Sequence, residues 1–228
     1  MLPSTLLMAI PPPIVVTPGS ATYNSAGAGS QVVPNYNTLI VELHGAGSPG
    51  CGLTAPSTYF YGNDGGTTTC STLGLTAGGA SKTFGAPPQP GAAGIAGGGD
   101  VNTTGSQGVV GGAYNGVNGR GGGSPNGGAD RPPPVGQGTP GLAVTGIDGN
   151  SPGGGGSGAT YNVSGSQFSI TGGSGGAYCR KTYIRGAPGS PAIGATLLHN
   201  VGAGGARDAG GGFDSGSGTN GRVAYAWS

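Results

Sequence analysis

Glycine at every third position is the feature that most restricts this chain. The interval is three in Gly91-Gly94-Gly97, Gly105-Gly108-Gly111 and Gly116-Gly119-Gly122. Denser tracts stand at Gly121-Gly122-Gly123 and from Gly153 to Gly156. A polyproline-II type helix has three residues per turn, rises about 3.1 Å per residue and makes no internal hydrogen bonds. Its peptide groups point outward and must find partners elsewhere if they are buried. Side-by-side glycine helices meet that demand by bonding to one another. One glycine per turn lets two backbones approach, and several let a thread be surrounded. Collagen is excluded, because its Gly-X-Y repeat is unbroken and here the period stops at PPQPG, SPNGG, DRPPPVG and NSPGG.

The same residues nearly exclude helix. Glycine and proline supply 57 and 19 of 228 residues. Each costs a helix interior about 1 and 3 kcal/mol respectively, and no long window is free of both with a 3.6-residue apolar period. Low complexity or disorder is the usual reading of such a composition, but disorder also wants a high net charge. The net charge is only +1, from 8 basic and 7 acidic residues. That balance also argues against a basic nucleic-acid surface. The expectation is an ordered all-β and irregular fold.

Both ends carry strand patterns. IVVT, ATYN and SQVV are short β-prone runs between turn residues. In TLIVELHG, Leu39, Val41 and Leu43 alternate with Ile40, Glu42 and His44, giving one apolar face. Glu42, the single glutamate, reads as an outward strand residue. AYCRKTYIR alternates likewise, ATLLHNVGAGG is a strand stopping in glycine, and GRVAYAWS places Val223, Tyr225 and Trp227 on one side. Trp227 reads as a core anchor. The expected layout is a β-sandwich base from 14–47 and 177–228, with a glycine-rich, polyglycine-II-like body at 48–176 inserted between. Residues 1–13 are expected to form an extended attachment arm stiffened by Pro11, Pro12 and Pro13, the alternative being a disordered leader. The arm has no Lys or Arg, so it lacks the positive start of a secretory signal. No apolar run reaches the roughly 18 residues of a membrane span.

The stretch HGAGSPG satisfies the letters G-x-G-x-x-G from Gly45 to Gly50. A dinucleotide site needs a helix to start there, so that its N-terminus meets the pyrophosphate. Pro49, Gly50, Gly52 and Pro56 follow instead, and no glycine loop carries a Walker lysine. Strand followed by G-A-G recurs at LLHNVGAGGA, which points to an architectural role. The six aspartates mostly sit beside glycine, as turn residues do. Cys51, Cys70 and Cys179 lack zinc spacing. Cys51 and Cys70 could bridge a loop in an oxidising setting, or all three could be buried reduced thiols. No catalytic set, cofactor or metal is expected.

The motif order resembles the glycine-rich proteins of tailed-bacteriophage particles, especially tail-fibre and tail-tip components. The pieces that carry the resemblance are VVPNYNTLIVELHGAGSPG, GGSGGAYCRKTYIRG, PAIGATLLHNVGAGG and TNGRVAYAWS. The glycine tract between them matches by composition and layout. The chain is also similar to the glycine-rich adhesin of some fibre tips, which packs polyglycine-II helices and presents variable loops to the host. It departs from that adhesin in its shorter, irregular glycine blocks and in having no evident separate attachment domain before them. The resemblance implies a non-enzymatic protein of the virion exterior that contacts other virion proteins. It also implies a bacterial surface receptor (a glycan or an outer-membrane protein) and a homotrimer, with no nucleic acid and no membrane insertion. The receptor-contact candidates are Tyr59, Phe60, Tyr61, Asn63, Asp64, Tyr114 and Tyr161, where aromatic rings and polar groups fall between glycine segments. The bland alternative for Tyr59 and Tyr61 is that they plug the end of the sandwich. A rival in another class is a purely structural decoration, collar or fibre-connecting protein. Ice binding by a glycine bundle would want a flat, regular face, and the broken period argues against it.

Overall fold

The structure, a computed structural model, describes residues 15–55, 58–113, 119–134, 143–163, 166–208 and 213–228. The proposed arm with Pro11, Pro12 and Pro13, and the candidate Tyr114, lie outside them. The chain is all-β. Its strands run β1 (Gly19–Tyr23), β2 (Gly27–Val32), β3 (Thr38–His44), β4 (Gly52–Ala55), β5 (Thr58–Phe60), β6 (Thr68–Cys70), β7 (Leu75–Ala77) and β8 (Ala96–Gly97). They continue with β9 (Val101–Thr103), β10 (Gly112–Ala113), β11 (Ala143–Val144), β12 (Thr160–Val163), β13 (Ser166–Ser169), β14 (Tyr178–Ile184), β15 (Thr196–Val201) and β16 (Arg222–Trp227). Among the described residues the one helical element is a single 3-10 turn, Ser71–Leu73, closed by Gly74 at φ 66°.

Two antiparallel five-stranded sheets form the base, in the orders β1-β16-β3-β14-β9 and β2-β15-β6-β7-β8. Alternation built them: Leu39, Val41, Leu43, Val223, Tyr225, Cys179 and Tyr183 from one sheet face Leu197, Val201, Cys70, Leu75 and Ala77 from the other. Tyr36, fully buried, closes this core and donates its hydroxyl to the Pro191 carbonyl at 2.7 Å. Trp227 is only partly buried at the core's rim, where its indole donates to the Thr17 carbonyl at 3.1 Å. The base draws four strands, β6 to β9, from the stretch read as glycine-rich body. They are two or three residues long, too short to carry a readable alternation.

From the base the chain makes repeated traverses to a second, smaller cluster and back. β3 leads out through 45–51 to β4; β5 returns through 61–67 to β6; β9 leads out through 104–111 to β10. The segments 153–159, 170–177, 202–207 and 213–221 follow the same rule. At about 3.1 Å per residue, seven residues span roughly 20 Å.

Hydrogen bonds between these threads repeat every third residue. The amides of Gly45, Ser48 and Cys51 donate to the carbonyls of Ala177, Ser174 and Thr171 at 2.9, 3.0 and 2.8 Å. On another side Gly47, Gly50 and Leu53 donate to Thr219, Gly216 and Phe213, each at 3.0 Å. The 170–177 thread is enclosed. Ile170, Gly173 and Gly176 donate to Ala159, Gly156 and Gly153, while Gly172 and Gly175 donate to Val109 and Ser106. Ala177 donates to Gly78, and Gly122 and Gly94 donate back to Gly173 and Gly175. Donor rows turning by a third of a circle per residue are what a three-residue helix produces and a β-ladder does not.

Close approach is why glycine is needed here. A Cβ at Gly173 would overlap the carbonyl oxygens of Ser48 and Pro49. Where the threads sit too far apart for a direct bond, a buried hydroxyl relays it. Ser174 Oγ accepts from the Gly108 amide at 3.1 Å and donates to the Gly91 carbonyl at 2.6 Å. Thr171 Oγ1 does the same between Gly111 and Pro88, at 2.9 and 2.8 Å.

Gly173→Ala is expected to destabilise the fold by at least about 3 kcal/mol, the upper end of overpacking costs. Ser174→Ala adds no bulk but leaves two buried peptide groups unpaired, so a loss of about 2–4 kcal/mol is expected. Denaturant midpoints measure both. A Ser174→Ala variant within about 0.5 kcal/mol of the parent, the range of an ordinary surface change, would remove the relay from this account.

Candidate functional site

The far end of the bundle gathers most of the chain's remaining aromatic side chains. β4 and β5 pair as a bulged hairpin with Leu53 opposite Tyr59. Cys51, Leu53, Ala159 and Ile170 are buried there, and Tyr59, Tyr61, Tyr161 and Phe213 pack on them. Beside the hairpin lies a four-stranded sheet, β10-β13-β12-β11. It sets Tyr161 opposite Phe168, with ring centroids 5.6 Å apart and planes at 25°. The loop 84–89 leans in from a third side. The Tyr61 hydroxyl donates to its Gly85 carbonyl, and Thr171 holds Pro88 as described above.

Between these pieces is a cleft of about 130 Å³, walled by Tyr59, Pro87, Pro88, Val110, Tyr161 and Phe168. The structure thus brings Tyr59, Tyr61 and Tyr161 to one end of the molecule. Tyr59 and Tyr61 do plug an end, but that of the glycine bundle, not of the sandwich. Burial pushes the phenols of Tyr61 and Tyr161 above the usual tyrosine range. Phe60 is half-buried and does not line the cleft. Asn63 and Asp64 belong to the 61–67 thread: the Asn63 amide donates to Ala206, and Asp64 Oδ1 accepts from the Lys82 amide at 2.8 Å. Pro87, Pro88, Val110 and Phe168 were not singled out from sequence. Phe168 lies in an ordinary-looking SQFSI, and the prolines read as a break in the glycine period. Strand register sets Phe168 against Tyr161, and hydrogen bonds through Thr171 bring Pro88 and the 104–111 thread beside them.

The G-x-G-x-x-G stretch is a thread of the bundle. The amides of Gly45, Ala46, Gly47, Ser48 and Gly50 donate to Ala177, Gly66, Thr219, Ser174 and Gly216. Pro49 has none, so no amide from Gly45 to Gly50 is left for a phosphate.

The cysteines fall in different clusters, Cys51 at the tip and Cys70 and Cys179 in the base core. Cys51 and Cys70 are therefore not bridged, and all three thiols are free and buried. Burial pushes the Cys51 thiol up to about 12. Among the described residues no three His, Cys, Asp or Glu side chains come together as a metal site. No helix among them is long and apolar enough to cross a membrane.

Both histidines lie in the base. His44 is fully buried, with Arg222 Nη2 2.9 Å from its Nε2 and Ser124 Oγ 3.3 Å from its Nδ1. A guanidinium only donates, so Nε2 accepts and the proton sits on Nδ1. Burial, and then the Arg222 charge, lower the His44 pKa to about 4. On the outer face nearby, the Tyr178 hydroxyl donates to Glu42 Oε1 at 2.7 Å. Glu42 is therefore a structural acceptor.

No family model matches the chain, nor does any curated protein or solved structure.

Two outcomes follow from these groups. The folded chain should leave all three thiols unreactive to an aromatic disulfide reagent, and denaturant should release all three; one readily titrating thiol in the native state would contradict the burial. His44 is depressed in the fold, so its contribution is complete above the unfolded pKa near 6.5 and is lost as pH falls toward 4. The loss should be on the order of 3 kcal/mol. Denaturation at pH 7 and pH 4, with the His44 ring followed by NMR, tests it. Titration of that ring near 6.5 would count against it.

Proposed function

We propose that this chain is a non-enzymatic surface protein of a bacteriophage particle, a tail-fibre or similar appendage component that contributes to host-surface recognition. The observation that carries the reading is the division of labour along the molecule. A glycine bundle with its peptide groups spent internally holds an aromatic-walled cleft at the end opposite the sandwich. Loops on rigid scaffolds are where recognition commonly resides. The sequence resemblance to glycine-rich tail proteins supplies the setting, the virion exterior. Other virion proteins are the natural partners of the base, and a bacterial glycan or outer-membrane protein is the partner of the tip.

A second reading, a purely structural virion component, draws support from the packing of the tip. Tyr61 is bonded to Gly85, and Tyr59 and Tyr161 rest on buried Cys51, Leu53, Ala159 and Ile170. In that case the aromatics seal the bundle and meet no receptor.

Adsorption separates the two. Purified chain should bind susceptible bacteria and slow adsorption of the phage in proportion to its concentration. Saturating protein that neither binds any susceptible strain nor alters adsorption would favour the structural component.

A further inference from the structure

We propose that the tip cleft is a binding site for a neutral saccharide ring, such as an uncharged hexose or N-acetylhexosamine of a surface glycan. This rests on the host-recognition reading above and adds to it the place and the ligand class.

Four observations converge. First, among the described residues no charged side chain lines the cleft, so none of them would compensate the desolvation of an ionic ligand. Second, its walls are rings: Tyr59, Tyr161 and Phe168 with Pro87 and Pro88. Tyr161 and Phe168 stack side by side on neighbouring strands. A sugar ring has an apolar C–H face that lies flat on such surfaces, and its rim of hydroxyls wants a few polar partners, the usual make-up of a small-molecule site. Third, polar partners are present. The Tyr59 and Tyr161 phenols, both in the lining, can each donate and accept. Fourth, the cleft is small, about 130 Å³, so it seats one face of a single ring with the rest in solvent, and it is short for a peptide strand. Val110 at 41 % exposure forms part of the rim, and Phe84 at 57 % exposure stands in the loop that carries Pro87 and Pro88. A longer glycan therefore has apolar surface to continue over.

The test uses the full chain and methyl glycosides of glucose, galactose, mannose and N-acetylglucosamine, followed by saturation-transfer NMR. At least one should bind, with contacts on its apolar face. Val110→Lys places a charge at the neutral cleft from an exposed position and should weaken binding at least tenfold. Tyr161→Phe keeps the ring, removes the phenol and should weaken it severalfold. Fluorescence of Trp227, in the base, reports whether each variant is folded. Unchanged binding in folded Val110→Lys would overturn the site. So would no binding of any glycoside up to roughly 20 mM, beyond which so few contacts count for little. Retention of an aromatic peptide in place of every sugar would overturn the ligand class. The two readings fail separately. Blocked phage adsorption without glycoside binding sinks the saccharide site and leaves host recognition standing. Glycoside binding without blocked adsorption supports the site and removes the role in adsorption.

Discussion

Everything in this molecule depends on pairing buried peptide groups between threads that cannot pair within themselves. A buried N–H or C=O without a partner costs about 1–3 kcal/mol, and the segments between base and tip bury dozens of residues. The two apolar clusters lie only at the ends, so burial of apolar surface cannot hold the middle. The middle is held because each thread finds neighbours in several directions at once, with a donor row for each. Glycine permits the spacing, and the ordering of so many glycines is entropically expensive. The strands at both ends offset part of that cost by fixing the register of the threads between them.

The residues in the threads that are not glycine fit this constraint. Ser48, Ser157, Thr171 and Ser174 are fully buried. Each hydroxyl stands in for a peptide group, as when Ser48 Oγ accepts from the Ser174 amide at 2.9 Å and Ser157 Oγ from that of Ile147 at 2.8 Å. At the outer edge of the bundle, aspartates do the same. Asp130 accepts from Gly123, Asp148 from Ser217 and Asp64 from Lys82. The aspartates that read as turn residues are therefore, in these cases, terminators of the lateral network. They supply a carboxylate oxygen where no further thread supplies a carbonyl.

How much of this was legible depended on length and on repetition. β3, β14, β15 and β16 are six or seven residues long, enough for Leu39, Val41 and Leu43 or Val223 and Tyr225 to display a face. The thread geometry was legible because a three-residue period has few physical causes. The four base strands between Thr68 and Thr103 were not legible. A three-residue strand such as Leu75–Ala77 shows one alternation, which any loop can imitate. The cleft was half legible. Tyr59 and Tyr161 announced themselves as aromatics among glycines. Phe168 and Val110 joined them only through pairing across the tip sheet and through the lateral order of the bundle's threads, which no local pattern encodes.

The fate of Gly45 to Gly50 shows where chemistry can and cannot reside in such a fold. A glycine-rich loop binds phosphate when its amides converge on empty space. Here the same letters produce amides already committed to Ala177, Gly66, Thr219, Ser174 and Gly216. What applies to this thread applies to its neighbours, since a bundle that left amides free for a ligand would lose the bonds that hold it together. Any recognition such a fold performs would then rest on side chains at the reversals, where the chain is released from the period and can hold bulky residues. The tip cleft is such a place. It is walled by side chains from four separate segments, and the bundle fixes their spacing without constraining which side chains they are.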